Sequence, residues 1–278
     1  MPNPIPAART AAAVLLLAVA SLCAAQQPPP PIQDNSFLVE EAYNQEAGVI
    51  QHISSFTRLW ASQDWAYTFT EEWPVPGHAK HQLSATLSLV DPGATASGAG
   101  AGDALLNYRY QLVGNGETRV AVAPRLSLIV PSGRARLGRG FGGFGMQANL
   151  PASVVLSRRL VTHWNAGMTF VPSASDAAGD RASVSGYNLG QSVVWLAHPR
   201  FNVLLETVWT ASRSVAGPGR TESTRSLLLD PGIRWAHNLK NGLQIVPGIG
   251  VPIGVGPSAG ERGILLYLSF EHPFRAAR

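Results

Sequence analysis

Residue types that do chemistry occur here in four arrangements, three of which lack the surroundings that their chemistry needs. Gly138-x-Gly140-x-x-Gly143 has the spacing of a dinucleotide fingerprint. That motif works where a parallel strand gives way to a helix whose N-terminus receives the pyrophosphate; here a Gly- and Arg-rich run leads into an alternating strand. His78 and His81 could form a metal pair, but residues three apart on a strand face opposite sides, and no further ligand accompanies them. His163 and nearby serines supply parts of a hydrolase without a local signature joining nucleophile, base and orienter. No catalytic, cofactor-binding or metal-binding residue is therefore assigned, and an enzyme is not expected.

The fourth arrangement is polar groups at alternate positions. Asn107, Arg109 and Gln111 alternate with Leu106, Tyr108, Tyr110 and Leu112, and Arg125, Glu206, Asp230, Arg234 and Glu271 occupy the polar phase of other runs. Side chains alternate across a strand, so each set shares one face. An isolated charge in a narrow, partly dry interior is costly, whereas a paired one is tolerable. These eight residues are therefore expected to line a common lumen, with cations and carboxylates pairing across adjacent strands.

Many short strands are needed to position them. Alternating runs occupy Trp65–Trp73, Gln82–Val90, Leu106–Leu112, Arg119–Val130, Met146–Ser157, His163–Phe170, Tyr187–Ala197, Phe201–Thr210, Leu229–Trp235 and Leu243–Ile253; His52–Trp60 is the least clear in phase. The chain closes on Arg262–Phe274, where Ile264, Leu266, Leu268 and Phe270 oppose Leu265, Tyr267, Ser269 and Glu271. A terminal strand with one wholly apolar face would aggregate unless paired, and closing a barrel removes the edge. The count is about twelve strands of about ten residues, the length of tilted membrane strands. Short connections (Gly114–Glu117, Arg158–Thr162, His198–Arg200, Asn238–Gly242) alternate with long ones (Asp91–Asp103, Pro131–Gly143, Pro172–Gly186, Ala211–Ser226). That is the pattern of short periplasmic turns and long outer loops.

Only 14% of the 278 residues are charged, yet no mature stretch is long and apolar enough for a membrane helix. The seven tryptophans mostly fall near strand ends, where interfacial girdles form. A secreted sandwich could hide the same residues in its core, but the loop alternation and the closing strand favour a barrel. The predicted fold is all-β: a single antiparallel transmembrane β-barrel of about twelve strands at residues 49–274, preceded by an N-terminal signal peptide. A net charge of +4 does not suggest nucleic-acid binding.

Residues 1–25 have one cation, Arg9, an apolar run and a small-residue end at Cys23-Ala24-Ala25, the layout of a signal peptide. Leu22 stands where a lipoprotein site wants a small residue. Cleavage after Ala25 would remove the single cysteine, leaving no disulfide. Residues 26–48 begin as a Gln- and Pro-rich tether and continue as Asp34–Glu46, acidic through Asp34, Glu40, Glu41 and Glu46. This acidic segment is a plug candidate, its carboxylates facing lumen arginines; the alternative is a periplasmic lead-in with one helical turn.

The stretch DNSFLVEEAYNQEAGVIQH at Asp34–His52, with GDALLNYRYQL, DPGIRW and the closing LYLSFEHPF, resembles bacterial outer-membrane barrels labelled as transporters, also called the phenol meta-pathway degradation family. The resemblance implies a barrel in the bacterial outer membrane that passes aromatic or other small molecules, and it carries over no catalytic residue. The closing strand also resembles the assembly signal of such barrels, which implies a barrel assembly machinery as partner. Outer-membrane lipid is the expected surrounding, with Arg134, Arg136 and Arg139 available to lipopolysaccharide phosphates. The function expected is a passive channel for small aromatic or anionic solutes; a non-conducting structural barrel or an embedded enzyme is the alternative.

Overall fold

The computed structural model describes residues 32, 35–93, 98–240 and 242–273. The signal peptide, the tether, Asp34 and Phe274 lie outside the described residues. Twelve strands form the barrel: β1 Val49–Leu59, β2 Trp65–Val75, β3 His78–Asp91, β4 Ala104–Tyr110, β5 Arg125–Val130, β6 Gly145–Ser157, β7 Leu160–Ser175, β8 Arg181–His198, β9 Phe201–Val215, β10 Thr221–Trp235, β11 Gln244–Gly250 and β12 Gly263–Pro273. Each pairs antiparallel with its neighbour, and β12 returns to β1 along a continuous register from Leu59↔Gly263 to Val49↔Pro273. Short stretches extend the ladder, such as Val120–Val122 beside β6 and Ile253–Gly254 beside β10. No strand of the ring is left with a free edge, which is what the apolar face of β12 demands.

The alternation read from sequence becomes two surfaces. Leu106, Leu126, Leu128, Met168, Leu189, Leu205 and Leu266 point outward and are about half exposed, while Asn107, Arg109, Ser127, Asn165 and Ser269 point inward and are buried. In β1, where phase was unclear, Gln51 and Ile53 take the inward positions.

Connections segregate by end. The near end, where β1 begins and β12 finishes, carries 76–77, 111–124, 158–159, 199–200, 236–240 and 242–243, and the far end carries 60–64, 92–93, 98–103, 131–144, 176–180, 216–220 and 251–262. The connection 111–124 is longer than the turn expected at Gly114–Glu117, because β4 stops at Tyr110 and β5 starts only at Arg125. Two expected long loops are mostly strand: β7 runs to Ser175 before β8 starts at Arg181, and β9 runs to Val215 before β10 starts at Thr221. Their small polar residues look like loop: the β9–β10 hairpin is wetted on both faces and needs no apolar stripe, while the β7–β8 hairpin buries only Val171, Ala174, Ala182 and Val184 on its inward side, yet both ladders form. At the far end of the seam, Glu261 accepts the backbone amides of Trp60, Ala61 and Ser62 at 3.0, 2.9 and 3.0 Å.

Candidate functional site

The acidic N-terminal segment lies inside the barrel, in the near half. It forms neither helix nor strand from Asn35 to Gln45, so its backbone groups need partners from elsewhere. Side chains of the wall provide them. Glu206 accepts the amides of Phe37, Leu38 and Val39 at 2.8–3.2 Å. Asn165 accepts that of Glu40 and donates to its carbonyl, Ser153 takes Ala42, Gln111 takes Asn44, and Gln82 takes Gln45. Arg109 donates to the carbonyl of Tyr43, Gln111 to that of Ala42, and Arg234 to that of Asn35. The amide of Glu41 is taken within the segment by Asn35, while the Glu46 side chain is exposed.

Wall and segment also match in shape. Phe37 packs on Tyr267, ring centroids 5.3 Å apart, and joins a buried cluster with Ile53, Val194, Leu204 and Leu265. A Cβ on Gly232 or Gly248 would lie 2.5 Å from the Phe37 ring, so these two glycines form its socket.

The charges are arranged differently from the cross-strand pairing expected. Arg109 stands directly opposite Arg125, and Glu206 directly opposite Asp230. Like charges so placed destabilise a sheet; the segment supplies what each pair lacks. Glu40 reaches Arg125 Nε and Nη2 at 3.0 and 2.6 Å, Arg109 Nη2 at 3.0 Å and Asn149 Nδ2 at 3.1 Å. Burial alone would raise the Glu40 carboxyl pKa, but the Arg125 and Arg109 guanidiniums hold it down at about 2. Glu206 instead takes the three amides. Glu72 lies 3.9 Å from Arg109, and Glu271 accepts from Gln51 at 2.9 Å. Strand phase marks which residues face inward, but it is silent about a partner that belongs to no strand. The cue available was the acidic run beside an arginine-bearing wall.

The segment divides the lumen. On the far side, a cavity of about 180 Å³ is lined by Phe37, Leu38, Val39 and Glu40 together with Ser55, Thr68, Thr70, Leu105, Arg109, Arg125 and Tyr267. On the near side, one of about 280 Å³ is lined by Glu41 and Tyr43 with Arg158, His163 and Arg234.

The remaining motifs resolve into structure. Gly138 adopts a left-handed φ of 69°, while a Cβ on Gly140 would lie 2.3 Å from the Asp103 carboxylate and one on Gly143 2.2 Å from the Ser173 carbonyl oxygen. This glycine spacing thus serves close packing in the far-end connection between β5 and β6, not a phosphate. His78 and His81 stack edge to face at 6.0 Å beside a register shift, and no cluster of three metal ligands occurs among the described residues. Ser153 Oγ does meet His163 Nδ1 at 2.8 Å, but both are buried and Ser153 also accepts the Ala42 amide.

No protein-family model matches the sequence, and no curated protein matches it. Solved structures do match in fold. An outer-membrane channel from Pseudomonas putida F1 superposes with a TM-score of 0.59 at 12% identity, covering 84% of this chain and 97% of that one. The NanC porin gives 0.52 at 10% identity over 79% of this chain and 98% of its own, and the KdgM porin 0.50 at 10% over 82% and 99%. At these identities the likeness is one of fold: a closed outer-membrane type of barrel.

Proposed function

We propose that the chain is a passive channel of the bacterial outer membrane for small anionic or aromatic solutes, closed at rest by residues 35–46. The observation that carries this reading is a lumen with a cavity on each side of one short segment and an arginine pair where they are divided. Three proteins of the same fold are described as a channel and as porins, and the resemblance of Asp34–His52 to the phenol meta-pathway family favours aromatic solutes. An arginine-weighted wall suits both classes, since guanidinium forks bind carboxylates and their planes stack on rings. In this reading residues 1–25 direct export, outer-membrane lipid and lipopolysaccharide surround the barrel, and an assembly machinery recognises β12.

Planar-bilayer recording tests the reading. Wild type is expected to conduct little, and a chain lacking residues 35–46 to conduct more, with a reversal potential under a salt gradient that reports anion preference. A folded barrel that stays silent in both forms rejects it.

A further inference from the structure

The Glu40 carboxylate occupies a site built for a carboxylate. Two wall arginines stand opposite each other, and among the described residues the wall carboxylate nearest to them is Glu72, 3.9 Å from Arg109. Arg125 presents its fork to both Glu40 oxygens, and Arg109 and Asn149 add one donor each. The site does not rely on Glu40 for its shape. Arg125 is also held by Asn107 at 2.9 Å, by Gln147 at 3.0 Å and by Ser127.

Glu40 itself lines the far-side cavity of about 180 Å³, and its side chain keeps 25% of its exposure. A cavity of about 150 Å³ holds benzene, whereas drug-sized ligands need roughly 300 Å³ or more. Phe37, Tyr267, Ile53 and Leu105 give this cavity apolar walls beside hydroxyls of Ser55, Thr68 and Thr70. Its size and lining therefore suit one ring.

We propose that an aromatic monocarboxylate entering from the far end displaces the Glu40 carboxylate from Arg125, Arg109 and Asn149, sets its ring in the adjoining cavity, and so loosens the plug. The proposal rests on reading the lumen as a solute path and names the solute class and the event that opens it. Glu40 acts as a tethered competitor, whose effective concentration is of the millimolar order typical of short flexible links. Solute must therefore reach comparable levels before the segment yields. A carboxylate without a ring would gain the charge contacts alone.

Calorimetric titration of the purified full-length protein with benzoate, formate and benzyl alcohol, combined with hydrogen exchange of the Phe37–Gln45 amides, tests this. Glu40→Gln, nearly isosteric, should bind benzoate at least tenfold more tightly than wild type, with formate weaker and benzyl alcohol weaker still. Arg125→Lys keeps the charge but loses the fork, and should weaken benzoate binding at least tenfold. In wild type, saturating benzoate should speed exchange of the segment's amides. Equal benzoate affinity in wild type and Glu40→Gln, undiminished affinity in Arg125→Lys, or unchanged exchange would each overturn the proposal. The channel reading fails separately: benzoate binding without conductance in any variant would retain the site and reject the channel. Conductance with no benzoate binding to folded Glu40→Gln would do the reverse.

Discussion

At the residue scale, the interior is organised by one carboxylate between two guanidiniums. Glu40 has a folded pKa held down at about 2, against an ordinary value of 4.5. A depressed pKa contributes stability that is present above pH 4.5 and lost as pH falls through 2, on the order of 3 kcal/mol when complete. Single-channel conductance of the wild type should therefore rise as pH falls from 4.5 toward 2, and Glu40→Gln should be open at pH 7 and insensitive over that window. A flat wild-type profile would separate plug docking from this ion pair. The Phe37 socket gives a charge-free counterpart. Gly248→Val would force a methyl-bearing carbon against the ring, and overpacking typically costs about 1–3 kcal/mol. The variant should keep its barrel, read as heat-modifiable migration on a gel, while chymotrypsin or elastase gains access to the segment at Phe37, Leu38, Val39 or Tyr43. Strand phase made Arg109, Arg125 and Glu206 legible as inward residues. Their partners were not legible, because Phe37 and Glu206 are 169 positions apart and hydrogen bonds to an irregular backbone leave no period in the sequence.

At the element scale, what can be read in advance depends on whether a strand has one dry face. β4, β6 and β12 alternate cleanly because one side is apolar and the other polar, so their boundaries and facing were legible. The far-end parts of β9 and β10 have no such contrast, and in β7 and β8 the dry face there is made of small side chains such as Ala174 and Ala182, so composition alone reads all four as loop. The contrast can be tested on folding. Leu128→Lys puts an ammonium on the outward belt, at a cost of about 2–4 kcal/mol near a bilayer midplane, and should lower the yield of folded barrel in membranes severalfold. Thr70→Lys, facing the far-side cavity, should be tolerated much better; equal losses would contradict the facing. Connections make a second test. Proteases added to intact cells should cut within 131–144 and leave the near-end turns 158–159 and 199–200 whole. The hairpin connection 216–220 should be cut slowly, since strands hold it on both sides.

At the scale of the whole molecule, twelve strands enclose more room than the side chains of eight would fill, and a segment that belongs to no strand takes up part of the surplus. Removing residues 35–46 should leave the closed barrel intact, since the seam and every ladder are independent of them, while taking Glu40 from the Arg109 and Arg125 pair and the three amides from Glu206 beside Asp230. A measurable fall in melting temperature with unchanged far-ultraviolet circular dichroism is the expected result; loss of the sheet signal would mean that the segment is part of the scaffold. The seam also has a consequence in time. β1 and β12 meet through residues more than 200 positions apart in the chain, whereas the other neighbours in the ring are joined by connections of at most 14 residues. Loop closure over such a span is slow relative to local pairing. The segment that precedes β1 contacts side chains from β3 through β10 and also β12, so its bonds mature only when the ring is nearly complete. In a refolding time course, protection of the Phe37–Val39 amides should emerge with the seam, as one late phase after the hairpins.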